Sequence, residues 1–272
     1  MIKLRNRSLA LLLSFACLRS NLVAVEIIAH RGASKDAPEN TLAAMKLAWQ
    51  QEADAIELDL WLSKDRKLVV FHDANTKRFD GQLRKVSDLD WNVLQQLDVG
   101  TWKDAKFKNE RIPMLESILA TIPKGRRAIL EIKCGPEILL ELDRVLRMAR
   151  RNSRELAIIS FDFEALRQSK QLFPEIEHYL LSGYKRDSKT GELPELATLM
   201  KLAKSARLDG LDLHFDWPID EGFVGHVRAA GLKLLVWTVN EPAVARRLRD
   251  AGVGGITTDR PGWLREQLIR LP

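Results

Sequence analysis

AIELDLWLSKDRKLVVFHD, residues Ala55 to Asp73, decides how the elements of this chain are counted. Its first half carries an apolar strand pattern, and side chains two apart on a strand share a face, so Glu57 and Asp59 aim two carboxylates at one spot. Two like charges on a buried face repel unless a proton or a cation lies between them. Only five residues separate Leu62 from Leu68, whereas the crossover between parallel strands needs about a dozen or more. Trp61 to Phe71 is therefore expected to be a hairpin that projects beyond the sheet edge and returns His72 to the edge where the two acids sit.

With that hairpin set aside, the rest of the chain alternates between strand and helix patterns. Strands are expected at Val25 to Ala29, from Ala55, and at Ala128 to Ile132, Ala157 to Ser160, Glu177 to Leu181, Gly210 to Leu213, Lys233 to Trp237 and Gly255 to Thr257. The helices between them carry their own end signals. Asn40 or Thr41 can cap the first, and Gly231 and Gly252 stand where helix C-terminal glycines belong. Eight such units predict an α/β protein, a closed (β/α)8 TIM barrel whose sites lie at the strand C-termini. An open doubly wound sheet fits less well, because no glycine-rich phosphate fingerprint follows a strand. Residues Ala74 to Pro113, with Asp80-Gly81, several lysines, Trp91 and Trp102, show no clean period and are expected to form an insertion over the site.

On such a barrel the polar residues at strand ends converge. His30 and Arg31 end the first strand, Glu57 and Asp59 the second, His72 returns on the hairpin, and Glu131 with Lys133 end the third barrel strand. Glu57, Asp59 and Glu131 make an oxygen cage suited to one Mg2+ or Ca2+. Zn2+ is disfavoured, since the two histidines have no recurrent metal-ligand spacing. Arg31 and Lys133 add fixed positive charge that suits phosphate oxygens. Cation cage, bases and two imidazoles together describe phosphoryl transfer, with the histidines as base and acid of an in-line displacement. Taken singly, Glu57 or Asp59 would be a strand charge neutralised by a basic residue; it is their convergence with the other strand ends that points to a site.

Other residues carry weaker signals. Asp212 and His214 share a face at the end of a later strand, which leaves a site-facing role open to His214. Trp237 lies at a strand mouth, where a core position and a substrate wall compete evenly. His178 and His226 are expected to be structural or surface residues, and Cys134 inert packing.

The 272 residues are 46% hydrophobic and 7% aromatic, which fits one large domain with an aliphatic core. Met1 to Ala24 stands apart: Lys3, Arg5 and Arg7 precede an apolar run from Leu9 to Leu18, and Leu22-Val23-Ala24 precedes a possible cut. That layout predicts a cleaved signal peptide over 1–24, a mature domain over 25–272 and a periplasmic or secreted location; the run is too short to span a bilayer comfortably. Lipid attachment at Cys17 fits less well, because Ser14-Phe15 is a poor match to what usually precedes a lipidated cysteine. Losing the leader lowers the formal charge from +6 by four to +2. The basic character is thus largely a targeting feature, and no interleaved basic and aromatic patch points to nucleic acid. Oligomeric state is not legible in the sequence.

HRGASKDAPENT at His30 to Thr41, the ELD…HD spacing from Glu57 to Asp73, EIK at Glu131 to Lys133, VWTVN at Val236 to Asn240 and ITTDRP at Ile256 to Pro261 occur in order along the mature chain. In these motifs the sequence resembles the glycerophosphodiester phosphodiesterases. The resemblance implies a TIM barrel with a small insertion after the HD motif and hydrolysis of glycerophosphodiesters to sn-glycerol 3-phosphate and an alcohol. It implies that Glu57, Asp59 and Glu131 ligate the divalent cation, that His30 and His72 are the acid/base pair, and that Arg31 and Lys133 hold the phosphate of a small-molecule diester. The implied route passes through a cyclic phosphate that water opens. Two alternatives stand beside it: phospholipase D-type action on lysophospholipids or sphingolipids, favoured by a hydrophobic mouth, and an inactive barrel acting as a binding protein.

Overall fold

The computed structural model describes residues 25–270; the leader expected over Met1 to Ala24 lies outside them. Nine strands form one sheet: β1 (Glu26–Ala29), β2 (Ala55–Leu62), β3 (Leu68–Val70), β4 (Arg127–Ile132), β5 (Leu156–Ser160), β6 (Glu177–Ser182), β7 (Gly210–His214), β8 (Lys233–Trp237) and β9 (Gly255–Thr258). Eight are parallel and close on themselves, because β1 pairs with β2 on one side and β9 on the other. The ninth, β3, folds back antiparallel on β2, pairing Leu62 with Leu68 and Leu60 with Val70. Five connecting residues permit nothing else, and the expected hairpin and barrel count both hold.

Eight helices wrap the described barrel: α1 (Leu42–Gln50), α2 (Leu115–Leu119), α3 (Leu139–Ala149), α4 (Phe163–Leu172), α5 (Leu196–Ser205), α6 (Glu221–Ala229), α7 (Pro242–Ala251) and α8 (Pro261–Arg270). Their ends follow local chemistry. Thr41 caps α1 by accepting from the Ala44 amide, Asp162 and Asp220 do the same for α4 and α6, and Gly252 ends α7 at φ +92°.

The pleat sorts the strand residues into two cores. Ile56, Leu58 and Leu60 of β2 point outward into the layer beneath the helices, with Met45, Ala48 and Ile118. Their neighbours Ala55, Glu57 and Asp59 point inward. A smaller inner core holds Ile28, Ile129, Ile159, Tyr179 and Leu235. Below it, at the N-terminal end of the barrel, Arg127 reaches Glu177 at 2.6 Å and Glu26 at 3.3 Å, while Lys233 and the Tyr179 hydroxyl also bond Glu177. Burial opposes ionisation of Glu177, but Lys233, Tyr179 and Arg127 outweigh it and bring its carboxyl down to about 2.

Residues 74–113 carry little regular structure. They form single-turn helices Lys77–Asp80 and Trp91–Leu94 and contribute Val86, Leu94, Val99 and Ile112 to a separate core built on Val69 and Phe71 of the hairpin. The hairpin stands outside the barrel, and its apolar outer side has to be covered. The insertion covers it, and no residue of it lines the pocket at the strand C-termini, although Arg78 bonds Asp73 and Lys103 Nζ bonds the Ser34 carbonyl beside it.

Candidate active site

At the C-terminal end of β2, Glu57 and Asp59 face inward, and the register sets Asp59 opposite Glu131 of β4. Their carboxylates and that of Glu57 offer oxygen atoms all within 4.8 Å of one another, and all three residues are buried. Each carboxylate responds to this crowding. Burial, then the charges of Asp59 and Glu131, push Glu57 well above the ordinary range. Burial and Asp59 push Glu131 up to about 7, even though Lys133 Nζ lies 2.8 Å from it. Asp59 goes the other way: burial opposes its ionisation, but Arg31 and Lys133 hold it below its usual range.

Asp59 is hydrogen-bonded through one oxygen, with the Lys133 ammonium 3.4 Å from the other. Its Oδ2 accepts from Asn40 Nδ2 at 2.7 Å and lies 3.2 Å from Arg31 Nε, while its buried Oδ1 has no hydrogen-bond partner. Asn40, weighed as a helix cap, is instead turned to φ +57° and spent on Asp59; Thr41 is the cap. An all-oxygen donor set, an unsatisfied inward Oδ1 and carboxyls that resist ionisation together fit a hard divalent cation. The triad can hold such an ion.

The two histidines are built alike from distant parts of the chain. His30 Nδ1 lies 2.7 Å from Asp259 Oδ1, and His72 Nδ1 lies 2.9 Å from Asp73 Oδ1. A carboxylate only accepts, so each Nδ1 carries the proton and each Nε2 is the ring nitrogen left outside that bond. Asp259 is itself held by Asn240 Nδ2 at 2.6 Å and Ser34 Oγ at 3.0 Å. Burial works against it, yet the His30 contact brings its carboxyl down to about 2. Asp73 is held by Arg78 Nε at 3.0 Å, and the Trp61 indole donates to the His72 carbonyl at 3.2 Å. Burial lowers the pKa of His72, favouring the neutral ring.

Arg31 sits in a sharp turn after β1, at φ +54° with Gly32 at φ +81°. A Cβ on Gly32 would come within 2.6 Å of the Ala44 backbone, so only glycine lets the turn seat against α1. The turn aims the Arg31 amide at Glu57 Oε2, 3.0 Å away, and its guanidinium at Asp59 and Glu39. Lys133, one residue past β4, lies 3.4 Å from Asp59 Oδ1.

These groups share one pocket of about 190 Å3. Its charged half holds His30, Arg31, Glu57, His72, Glu131 and Lys133; the opposite half is Ile159, Phe161, Leu181, Asp212, Trp237 and Thr257. Trp237 is thus a wall residue, packed edge-on to Phe161 with centroids 5.7 Å apart, its indole donating to the Asp212 carbonyl at 3.1 Å. The opening left to His214 goes to its neighbour. His214 stacks against Phe215 and Trp237 with Nδ1 3.1 Å from Asp216, and Asp212 is the pocket residue of β7. Elsewhere His178 is a core residue bonded to Ser169 at 2.8 Å, and Cys134 is half-buried with its thiol pushed up to about 11 by burial. Asn40, Asp73, Asp212, Asn240 and Asp259 were not singled out as site residues by sequence reasoning. Asn240 and Asp259 lay within VWTVN and ITTDRP, the visible signal for them.

An acid cage beside two carboxylate-anchored imidazoles, with fewer bases than acids, leaves charge for a divalent ion and an anionic ester together. Fold and site define a barrel hydrolase of the phosphodiesterase class. Residues 30–263 match the Glycerophosphoryl diester phosphodiesterase family, and the chain belongs to it. It is 35% identical over 250 residues to a glycerophosphodiester phosphodiesterase of Caldanaerobacter subterraneus, covering 90% of this chain and 96% of that one. A phosphodiesterase from Oleispira antarctica, solved with its product sn-glycerol-3-phosphate, superimposes with a TM-score of 0.80 at 30% identity, over 90% of this chain and 96% of that one. A human lysophospholipase D is 27% identical over 273 residues, covering 89% of this chain and 85% of that one. Among the described residues no helix is long and apolar enough to cross a membrane.

Proposed function

We propose that this protein hydrolyses glycerophosphodiesters to sn-glycerol 3-phosphate and an alcohol, with Mg2+ or Ca2+ in the Glu57, Asp59 and Glu131 cage. The observation that carries this reading is the pair of Nδ1-anchored histidines beside that cage in one small pocket. The Oleispira relative with its bound product supports the choice of substrate.

Arg31 and Lys133 bind the phosphoryl oxygens and set the phosphorus beside the cage. A divalent cation bound there supplies Lewis acidity and charge neutralisation. Nε2 of one histidine takes the proton of the glycerol hydroxyl adjacent to the ester, that oxygen bonds to phosphorus, and Nε2 of the other gives its proton to the departing alkoxide. The resulting five-membered cyclic phosphate is opened by water as the two histidines exchange roles. Asp259 and Asp73 keep both rings in the required tautomer and steady the imidazolium forms. The test is a panel of glycerophosphodiesters assayed for glycerol 3-phosphate. Release that stops on chelation and returns with Mg2+ or Ca2+ supports the reading; a free head-group phosphate as product overturns it.

A second reading, lysophospholipase D action, is favoured by Phe161, 53% exposed at the mouth against Trp237. Choline release from lysophosphatidylcholine faster than from glycerophosphocholine would favour it. We also propose export through the N-terminal leader; mass spectrometry finding Val25 as the first residue of the mature protein supports this, and an acylated Cys17 refutes plain secretion.

A further inference from the structure

Asp212 is the acid of the pocket for which the proposed chemistry has no use. It is 2% exposed on β7, lines the pocket beside Leu181 and Trp237, and its buried Oδ1 has no hydrogen-bond partner among the described residues. It stands outside the three carboxylates whose oxygens approach within 4.8 Å, so it is not a fourth member of the cage. Its position is fixed from behind, since its carbonyl accepts from the Trp237 indole at 3.1 Å. Packing does not call for a carboxyl: its partners across the sheet register are Leu181 and Leu235. Leaving a buried polar group unmade costs roughly 1–3 kcal/mol. The natural repayment is a polar hydrogen brought in by a ligand.

Which part of a substrate arrives there follows from the shape of the site. Phosphorus must lie at the charged half, within reach of Arg31, Lys133 and the cage. The departing alcohol has to reach water, so it faces the mouth. The buried Asp212 side is left to the portion that stays through both steps, the three-carbon unit whose middle hydroxyl attacks. Resting on the glycerophosphodiester reading, we propose that Asp212 is a specificity-determining residue that hydrogen-bonds the terminal hydroxyl of the glycerol unit. A hydroxyl both donates and accepts, so the contact forms whichever way the carboxyl is protonated. It selects a glycerol diester over one lacking that hydroxyl and turns the middle hydroxyl toward phosphorus.

The test compares wild type, Asp212→Asn and Asp212→Leu in the presence of Mg2+ or Ca2+. Calorimetry measures binding of sn-glycerol 3-phosphate, its analogue lacking the terminal hydroxyl, and inorganic phosphate; hydrolysis of the two matching methyl diesters is measured alongside. Wild type should prefer the glycerol ligand by about tenfold or more, the worth of one well-made hydrogen bond. Asp212→Leu should bind both organic ligands alike, leave inorganic phosphate within about threefold of wild type, and melt no lower. Asp212→Asn, which keeps shape and hydrogen-bonding capacity, should retain part of the preference. An unchanged preference in Asp212→Leu and Asp212→Asn overturns the proposal, as does a parallel loss of inorganic phosphate binding in both, which would mark a structural role. A wild type that releases no glycerol 3-phosphate from any diester defeats the parent reading as well. One that releases it but treats both diesters alike defeats this inference alone.

Discussion

Glu177 and Glu131 are both inward-facing acids of one barrel, the first on β6 at the N-terminal end and the second on β4 at the C-terminal end. Both start from 4.5, yet Glu177 is brought down to about 2 and Glu131 is driven up to about 7. Burial pushes both upward, so burial does not separate them. Their company does. Glu177 takes Arg127, Lys233 and the Tyr179 hydroxyl, whereas Glu131 has one lysine and must share it with Asp59. At the N-terminal end the basic groups outweigh burial, while the C-terminal end carries an excess of acid that can hold a cation. Charge around one barrel axis is thus paired off below and left in excess above.

The widest gap between the two ends should appear on neutralising a cage acid. Glu131→Gln or Asp59→Asn should lower turnover by about a thousandfold or more, since cation and phosphate both lose their seat. The cation-free protein should melt no lower with Glu131→Gln, because a repulsion is relieved. In wild type a cation at one hundred times its Kd should add about 2.7 kcal/mol of stability, and calorimetric melting should find this gain missing in the variant.

Histidine removal comes next. His30→Ala and His72→Ala should each cost about 10²–10⁴ in kcat while leaving the melting curve in place; near wild-type rates in either would break the acid/base pair. Asp259→Asn should cost less, about tenfold or more, and displace the pH profile, because an amide can present the wrong hydrogen-bonding group to Nδ1.

Acid should weaken the cage by a smaller, graded amount. Glu131 titrates at about 7 without a cation, so below that pH a cation must displace its proton. Affinity should fall by up to about tenfold per unit of pH. Proton release on binding at pH 7, seen as a dependence of binding heat on buffer, would sharpen the contrast; its absence would break it.

The smallest effect belongs to the other end. Glu177→Gln should leave kcat unchanged and cost about 1–2 kcal/mol of stability at pH 7. A carboxyl whose folded pKa is depressed stabilises above its unfolded value and loses that contribution as pH falls through the folded one. The difference between wild type and variant should therefore shrink from pH 4.5 down to about 2 in denaturant titrations.

The barrel was legible because its signals are local: the five-residue connection after Leu62, alternating apolar runs and helix-end glycines each act within a few positions. The cage was legible for a related reason, since a spacing of two on a strand and a position at its C-terminal end place Glu57, Asp59 and Glu131 without any need for the register. What supports the site was not legible, because it comes from far away. Asp259 meets His30 across 229 positions, and Asn40, with Thr41 taking the cap that either could fill, holds Asp59. Which apolar surface the insertion covers was not legible, because its polar composition hid it. On β7 the eye goes to the histidine of the Asp212 and His214 pair; the two share a face, but His214 packs against the Trp237 ring and the aspartate lines the pocket.

The pairing of β1 with β9 has a consequence for synthesis. His30 leaves the ribosome among the earliest residues of the barrel, and its carboxylate partner is made 229 positions later, one residue past the last strand. A nascent chain can assemble the β2 and β4 acids and the hairpin that brings His72, yet its first histidine stays unanchored until β9 closes the ring. The His30 anchor is therefore a late event in the making of the protein, and chains cut short before Asp259 lack it.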